Sequence, residues 1–408
     1  MTDICLGFEV HQPLRINPKF EKKWARGKDI QELYDIYFDN VWNREILERV
    51  AEKCYLPANR IILENIDRFS GQNREFKVTY SISGVLAHQC KKWASEVLDS
   101  FRKLAQTDCV EFLDQTYYHS LASLFSSEKG EFREQVQEHR ALMKDLFDYE
   151  PEIFENTEFI YNSSITKSLE NMGYEGVLTE GADRVLGWRS PNYLYEANDS
   201  DLKVLTRNYM LSDDIAFRFS NHDWEEWPLT ADKYASWLSE VEGQCINIFV
   251  DYETFGEHQY PETGILDFLR SLPEEILNYP DLDFLTPSEA IEKHESVGKL
   301  NVGDFDTISW ADIRRSTDAW LGNPMQEYSF ERLKELKSKV RKTNDEDILK
   351  LWRFLQISDH LYYMYTEPGA PMEVHGYFSQ QPPGKVFQTF NNILNDFEDK
   401  VDEKLEEE

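Results

Sequence analysis

The sequence is poor in several things, and each shortage excludes something. Cationic residues are few: 44 Lys and Arg stand against 76 Asp and Glu, for a formal net charge of −32. So acidic a chain is repelled by phosphate backbones and by anionic lipid, which argues against nucleic acid and against a membrane as partner. A neutral polymer such as starch or glycogen is not penalised. There are only five cysteines (Cys5, Cys54, Cys90, Cys109, Cys245), with no CxxC pair and no metal-ligand spacing. An odd, scattered set reads as reduced core thiols in a cytoplasm, not as a disulfide framework. No apolar run approaches the ~20 residues that span a bilayer. The opening MTDICLGFEVHQP lacks the basic region and long apolar stretch of a signal peptide. The expectation is a soluble, cytoplasmic chain. No internal repeat or low-complexity linker is visible.

What is present is ordinary globular composition, 41% hydrophobic and 29% charged, over 408 residues. That length fits one large domain with an elaboration, or two to three ordinary ones. Aromatics are frequent, at 14%. Flat apolar faces suit sugar rings, although most aromatics in a chain this size fill the core.

Read along the chain, short apolar runs alternate with helical periodicity. Ile4 to Val10 reads as a buried strand ending in His11-Gln12-Pro13. Helical spacing follows over 29–54. A strand is expected over Phe76–Val85, a helix over 87–105, a strand over Val110–Leu113, and a helix over 129–148. Then come strand-like Phe159–Tyr161, a helix near 164–172, and the run Gly176-Val177-Leu178-Thr179-Glu180. Strand candidates at 202–211 and 215–219 precede a helix at 230–242 and the clearest buried strand, Cys245 to Asp251. Leu282–Leu285 closes the series. Alternation of this kind over nearly 300 residues predicts a parallel α/β sheet and, at this strand count, a barrel. Residues 1–299 are expected to form that catalytic unit. Residues 300–408, where helical periodicity takes over, are expected to form a helical extension packed on it.

Several strands end in chemically capable residues: His11, His119, Glu180 and Asp251. In a parallel barrel, functional groups collect at the carboxyl ends of the strands. Cleaving a glycosidic bond takes one carboxyl to protonate the leaving oxygen and a second to attack the anomeric carbon or to activate water. Glu180 and Asp251 fit on position. Any single acid among the 76 is by default a solvated loop residue, so position alone lifts these two only modestly. Glu253, two residues beyond Asp251, would point the same way if the strand persisted, and its charge would raise the proton affinity of Asp251.

Asp251-Tyr252-Glu253-Thr254-Phe255-Gly256-Glu257-His258 resembles the acid/base motif of glycoside hydrolase family 57. His11-Gln12-Pro13 looks like that family's opening signature, and Val177 to Asp183 resembles its nucleophile region. Tyr118-His119-Ser120-Leu121 corresponds to the second region and Trp320-Leu321-Gly322-Asn323 to the fifth. The resemblance implies an irregular parallel (β/α)7 barrel followed by an all-helical C-terminal region. It implies Glu180 as nucleophile, Asp251 as general acid/base, α-1,4-glucan as substrate and retention of configuration, with no metal or other cofactor required. Val177-Leu178-Thr179 stands where the family often carries a Trp, and the chain looks closer to the short α-amylase branch than to the branching enzymes or long transferases.

Supporting roles are expected of His11, His119, Glu253 and His258 as contacts to sugar hydroxyls. Trp188, Trp224, Trp227, Trp310 and Trp320 are candidate stacking platforms, of which about two are expected to touch sugar. Asp183 and Arg184 are placed to orient the nucleophile or to form a surface ion pair, and Asp213-Asp214 to line the cleft or a solvated turn. Three alternatives stay open: a 4-α-glucanotransferase using the same residues, a glucan-binding protein without activity, and a metal-dependent deacetylase or α-mannosidase with ligands drawn from His11, His119, Asp251 and His258.

Overall fold

A computed structural model describes residues 2–125, 129–366 and 381–407. Ten strands are present among these residues: β1 (Thr2–Val10), β2 (Val78–Ile82), β3 (Val110–Leu113), β4 (Ile153–Glu155), β5 (Gly176–Glu180), β6 (Tyr195–Ala197), β7 (Lys203–Arg207), β8 (Cys245–Asp251), β9 (Leu282–Phe284) and β10 (Lys299–Leu300). Seven of them close a parallel ring. β1 pairs with β2 and β8, β2 with β3, β4 with β5, β5 with β7, and β7 with β8. The bridge Asp114↔Phe154 joins the end of β3 to β4 and completes the circle. The expected (β/α)7 barrel is therefore present. It is irregular because β9 pairs with the first residues of β1, and because β6 runs antiparallel to β7 and carries β10 on its other edge.

Side chains alternate across each strand, and this sorts the core. On β1, Ile4, Leu6, Phe8 and Val10 face the surrounding helices and join one large apolar cluster. Cys5 faces the barrel interior with Leu113, Ile153, Leu178, Leu205, Cys245 and Phe249. Gly7 makes room there, since a Cβ would meet the Phe249 ring at 2.3 Å. The second large cluster joins barrel helices to the C-terminal helices over Pro324–Lys342, Glu346–Phe354 and Pro383–Glu407. Arg353 ties this helical region to the barrel helix Gly130–Phe147 through Glu131, Glu134 and Glu138.

Three strand expectations fail for local reasons. Phe159–Tyr161 is a tight turn, because Glu158 and Phe159 take left-handed φ of 61° and 55°; the strand of that unit lies earlier, at β4. The strand expected over 202–211 stops at Arg207, where the Asn208 side chain accepts the Leu211 N–H and caps a helix over Tyr209–Asp213. The 215–219 stretch is a π-type turn, so Ile215 and Phe219 bury by helical spacing rather than by alternation.

Candidate active site

Alternation continues to the carboxyl ends of the strands and decides what stands at the barrel mouth. Leu178 and Leu205 point inward, so Glu180 and Arg207 do too; Phe249 points inward, and so does Asp251. Glu180 and Arg207 are register partners on neighbouring strands. Arg207 donates from Nη1 to Glu180 Oε2 at 3.0 Å, from Nη2 to Asp213 Oδ1 at 2.8 Å and from Nε to the Phe249 carbonyl at 2.7 Å. The Gly181 N–H donates to the other Glu180 oxygen at 2.8 Å. Burial holds the proton affinity of the Glu180 carboxyl above its ordinary value, and Arg207 and Arg315 limit that rise. The result is a buried carboxylate with a fixed cation and no freedom to rotate.

Asp251 is built differently. Its side chain makes no hydrogen bond among the described residues. Burial first, and then the neighbouring Glu158 charge, push it up to about 7, against the opposing pull of Arg207 and His119. Such a carboxyl can give a proton and take one back near neutral pH.

A third group lies beside Asp251. His119 and His11 stack with ring centroids 3.8 Å apart. Burial opposes a charge on His119, but Glu158 and Glu9 outweigh it and push the imidazole up to about 9. Its Nδ1 bonds Gln115 Oε1 at 3.0 Å, and its Nε2 lies 3.5 Å from Glu158 Oε1. Burial and that neighbouring charge push His11 down to about 4, so it is neutral. With Nε2–H donating to Asp359 Oδ2 at 3.1 Å, Nδ1 accepts the Ser83 hydroxyl at 2.7 Å. Ser83 in turn caps the helix Gly84–Trp93 by accepting the Leu86 N–H.

Residues 5–303 match the family model described as glycosyl hydrolase family 57. The chain belongs to that family. A Methanocaldococcus jannaschii protein bearing the provisional name alpha-amylase is 45% identical over 411 residues, covering 98% of this chain and 85% of its own length. Among solved structures, the family 57 branching enzyme of Thermococcus kodakaraensis has a TM-score of 0.66 at 14% identity, covering 99% of this chain and 94% of that one. An alpha-amylase of Thermotoga maritima gives 0.61 at 14%, over 99% and 94%. The 4-alpha-glucanotransferase of Thermococcus litoralis gives 0.65 at 16% over 88% of this chain, and the match spans only 56% of that enzyme's length. At these identities the solved structures share the fold.

Within this family 57 barrel, the anticipated residues divide. Glu180, Asp251, His11 and His119 meet at the mouth. Trp310 joins them: its ring stacks on Phe159 at 4.8 Å, its Nε1–H donates to Glu158 at 2.8 Å, and Arg207 lies over its face. Others are elsewhere. Trp320 is 1% exposed in the helical core and has no face free for a sugar. Trp224 packs edge-on to Trp237 against the outer core, Trp227 stacks on His222, and Trp188 stands in solvent at 96% exposure. The strand does not persist past Asp251; a tight turn over Tyr252–Thr254 carries Glu253 to the Tyr55 hydroxyl, which donates to it. His258 is buried in the same segment, and burial pushes it down to about 4. That segment packs on the helical layer, since a Cβ at Gly256 would meet the Lys53 carbonyl at 2.0 Å. Arg184 grips the 306–315 loop and Asp183 accepts from Tyr209, so neither touches Glu180. The ligand set of the metal-enzyme alternative is not assembled: among the described residues no group of His, Cys, Asp and Glu is arranged to hold a metal ion.

Four site residues escaped the sequence reading: Arg207, Glu158, Ser358 and Asp359. Arg207 had a signal, since it ends an apolar strand as Glu180 does. Glu158 lies just before the Phe159–Tyr161 stretch expected as a strand, in the turn that replaces it. Ser358 and Asp359 reach the mouth from the helical region by tertiary packing alone, donating to Glu158 and accepting from His11.

Proposed function

We propose that this chain is a retaining glycoside hydrolase of the α-amylase type, acting on α-1,4-glucans such as starch, glycogen and maltodextrins. The observation that carries this reading is the different bonding of two inward carboxyls at one barrel mouth: Glu180 is clamped by Arg207 and the Gly181 N–H, whereas Asp251 has no hydrogen bond among the described residues and is pushed up to about 7. Glu180 attacks the anomeric carbon while Asp251 gives its proton to the departing glycosidic oxygen. A glycosyl ester forms on Glu180. Asp251, now ionised, takes a proton from water as that water attacks the ester, and the product leaves with the original anomeric configuration. One strand, β7, separates β5 from β8, and a retaining mechanism requires the two carboxyls to stand ~5–5.5 Å apart across the bound sugar.

An acceptor sugar in place of water turns the same chemistry into glucan transfer, and product lengths distinguish the two. A cytoplasmic location is supported by five cysteines that are all free and buried. Among the described residues, no helix is long and apolar enough to cross a membrane. The reading is tested by incubation with 5-fluoro-α-glucosyl fluoride, which slows breakdown of a glycosyl ester. Peptide mapping should find the added sugar on the peptide carrying Glu180; a label elsewhere, or none, contradicts it.

A further inference from the structure

The loop of residues 303–317 joins β10 to the helix Asp318–Leu321, and it is pinned to the barrel along its length. Ile308 bridges to Tyr161, the Trp310 N–H donates to the Glu158 carbonyl at 3.3 Å, and Arg184 donates to the carbonyls of Thr307, Arg314 and Arg315. Its far end turns on Asp312, whose carboxylate accepts the N–H groups of Arg314 at 2.6 Å and Ser316 at 3.0 Å. Between these two, Arg315 takes a left-handed φ of 53°, a conformation that is costly outside glycine. The strained turn delivers the Arg315 guanidinium to the barrel mouth. There it lies over the Tyr209 ring at 4.4 Å, donates from Nη1 to the Trp310 carbonyl at 2.5 Å, and donates from Nη2 to Asp213 Oδ2 at 2.9 Å.

That last bond continues inward without a break. Asp213 Oδ1 accepts from Arg207 Nη2 at 2.8 Å, and Arg207 Nη1 donates to Glu180 Oε2 at 3.0 Å. Two cations and two carboxylates thus alternate, from the Arg315 side chain, 16% exposed, to the wholly buried Glu180. We infer that Arg315 is a positioning residue for Glu180: by holding the outer oxygen of Asp213, it leaves the Arg207 charge to the nucleophile. The inference rests on the reading of Glu180 as nucleophile. Asp213 and Glu180 share one guanidinium, so the charge that Asp213 draws from Arg207 is lost to Glu180. A second cation on the outer oxygen of Asp213 offsets that draw. Without Arg315, one cation stands between two buried carboxylates, and a proton on Glu180 relieves the excess. The charged and titratable groups facing Glu180 are Arg207 from β7, Asp213 and Tyr209 from the helix after it, and Arg315 from the loop, with Asp251 at the same mouth on β8. Tyr209 is engaged as a donor to Asp183 at 2.7 Å.

Titration of Glu180 itself tests this without substrate. With glutamate labelled at 13Cδ and Glu180 assigned by comparison with Glu180→Gln, its resonance is followed against pH. Arg315→Met should raise the midpoint by about 0.5–1 unit, less than loss of the directly bonded cation would. Arg315→Lys, which keeps a charge, should recover most of that rise. Asp213→Asn should lower the midpoint, since Arg207 then serves one carboxylate, and this variant keeps Arg315 in place should Arg315→Met not fold. In the double variant Asp213→Asn with Arg315→Met the rise should vanish. A merely structural role for Arg315 would not give that result, because the double variant lacks the same bond to the loop. A midpoint unmoved in folded Arg315→Met, a rise that persists in the double variant, or a midpoint unmoved in Asp213→Asn overturns the inference. If the midpoints move as stated but 5-fluoro-α-glucosyl fluoride leaves the Glu180 peptide unlabelled, the ion chain stands and the proposed reaction fails.

Discussion

Arg207→Met removes the cation that fixes Glu180 while keeping an apolar stem of similar length. Both partners are buried, with side chains 3% and 0% exposed. Glu180 would keep only the Gly181 N–H, at 2.8 Å. A charge-assisted hydrogen bond contributes about 1.5–3 kcal/mol, and one pKa unit corresponds to ~1.4 kcal/mol. The acid limb of kcat/KM, which reports ionisation of the nucleophile, should therefore move to higher pH by about 1–2 units. Arg207 also lowers the proton affinity of Asp251, so the basic limb should move the same way by less. Stranding a buried carboxylate costs about 3–5 kcal/mol of stability. Asp213 escapes that penalty because Arg315 still donates to it at 2.9 Å. The assay is kcat/KM against pH on a chromogenic maltooligosaccharide, with a thermal melt to show folding. An acid limb that stays in place in a folded variant refutes the assignment of Arg207 as the group that keeps Glu180 ionised.

Asp251 also sets a stability trend. Its affinity is raised in the folded state, so its contribution is present below the unfolded value near 4 and is lost as pH rises toward about 7. Asp251→Asn should gain stability over wild type progressively across that window, by no more than about 4 kcal/mol; a constant difference in urea melts from pH 4 to 8 contradicts this. Trp320→Ala should cost about 3–5 kcal/mol by opening a cavity in the helical core, whereas Trp188→Ala should stay within about 0.5 kcal/mol of wild type. Equal effects of the two in urea melts would contradict the burial described here.

The barrel was legible because its strands are short apolar runs ending in polar residues, and Glu180 and Asp251 both sit at such ends. The ordered motifs located the family. What escaped has physical causes. Arg207 closes an apolar strand just as Glu180 does, but a lone Arg carries no motif. Glu158 lies beyond a strand of only three residues, in a turn whose left-handed backbone no composition rule marks. Ser358 and Asp359 come to the mouth from more than 100 residues after Asp251 in sequence, by packing that local periodicity does not encode. Tryptophans were over-read for the same reason: spacing shows that Trp320 is on a helix but not that its whole ring is enclosed. Glu253 was misplaced because β8 ends at Asp251, where the chain turns.

The central claim is that Glu180 forms and breaks a covalent bond to the sugar. Wild type and Glu180→Gln should be incubated with maltoheptaose and the first products followed by proton NMR. The account predicts α-anomeric products from wild type and a rate lower by several orders of magnitude in the variant, with both proteins equally folded. β-Anomeric first products, or a folded Glu180→Gln as active as wild type, would contradict it.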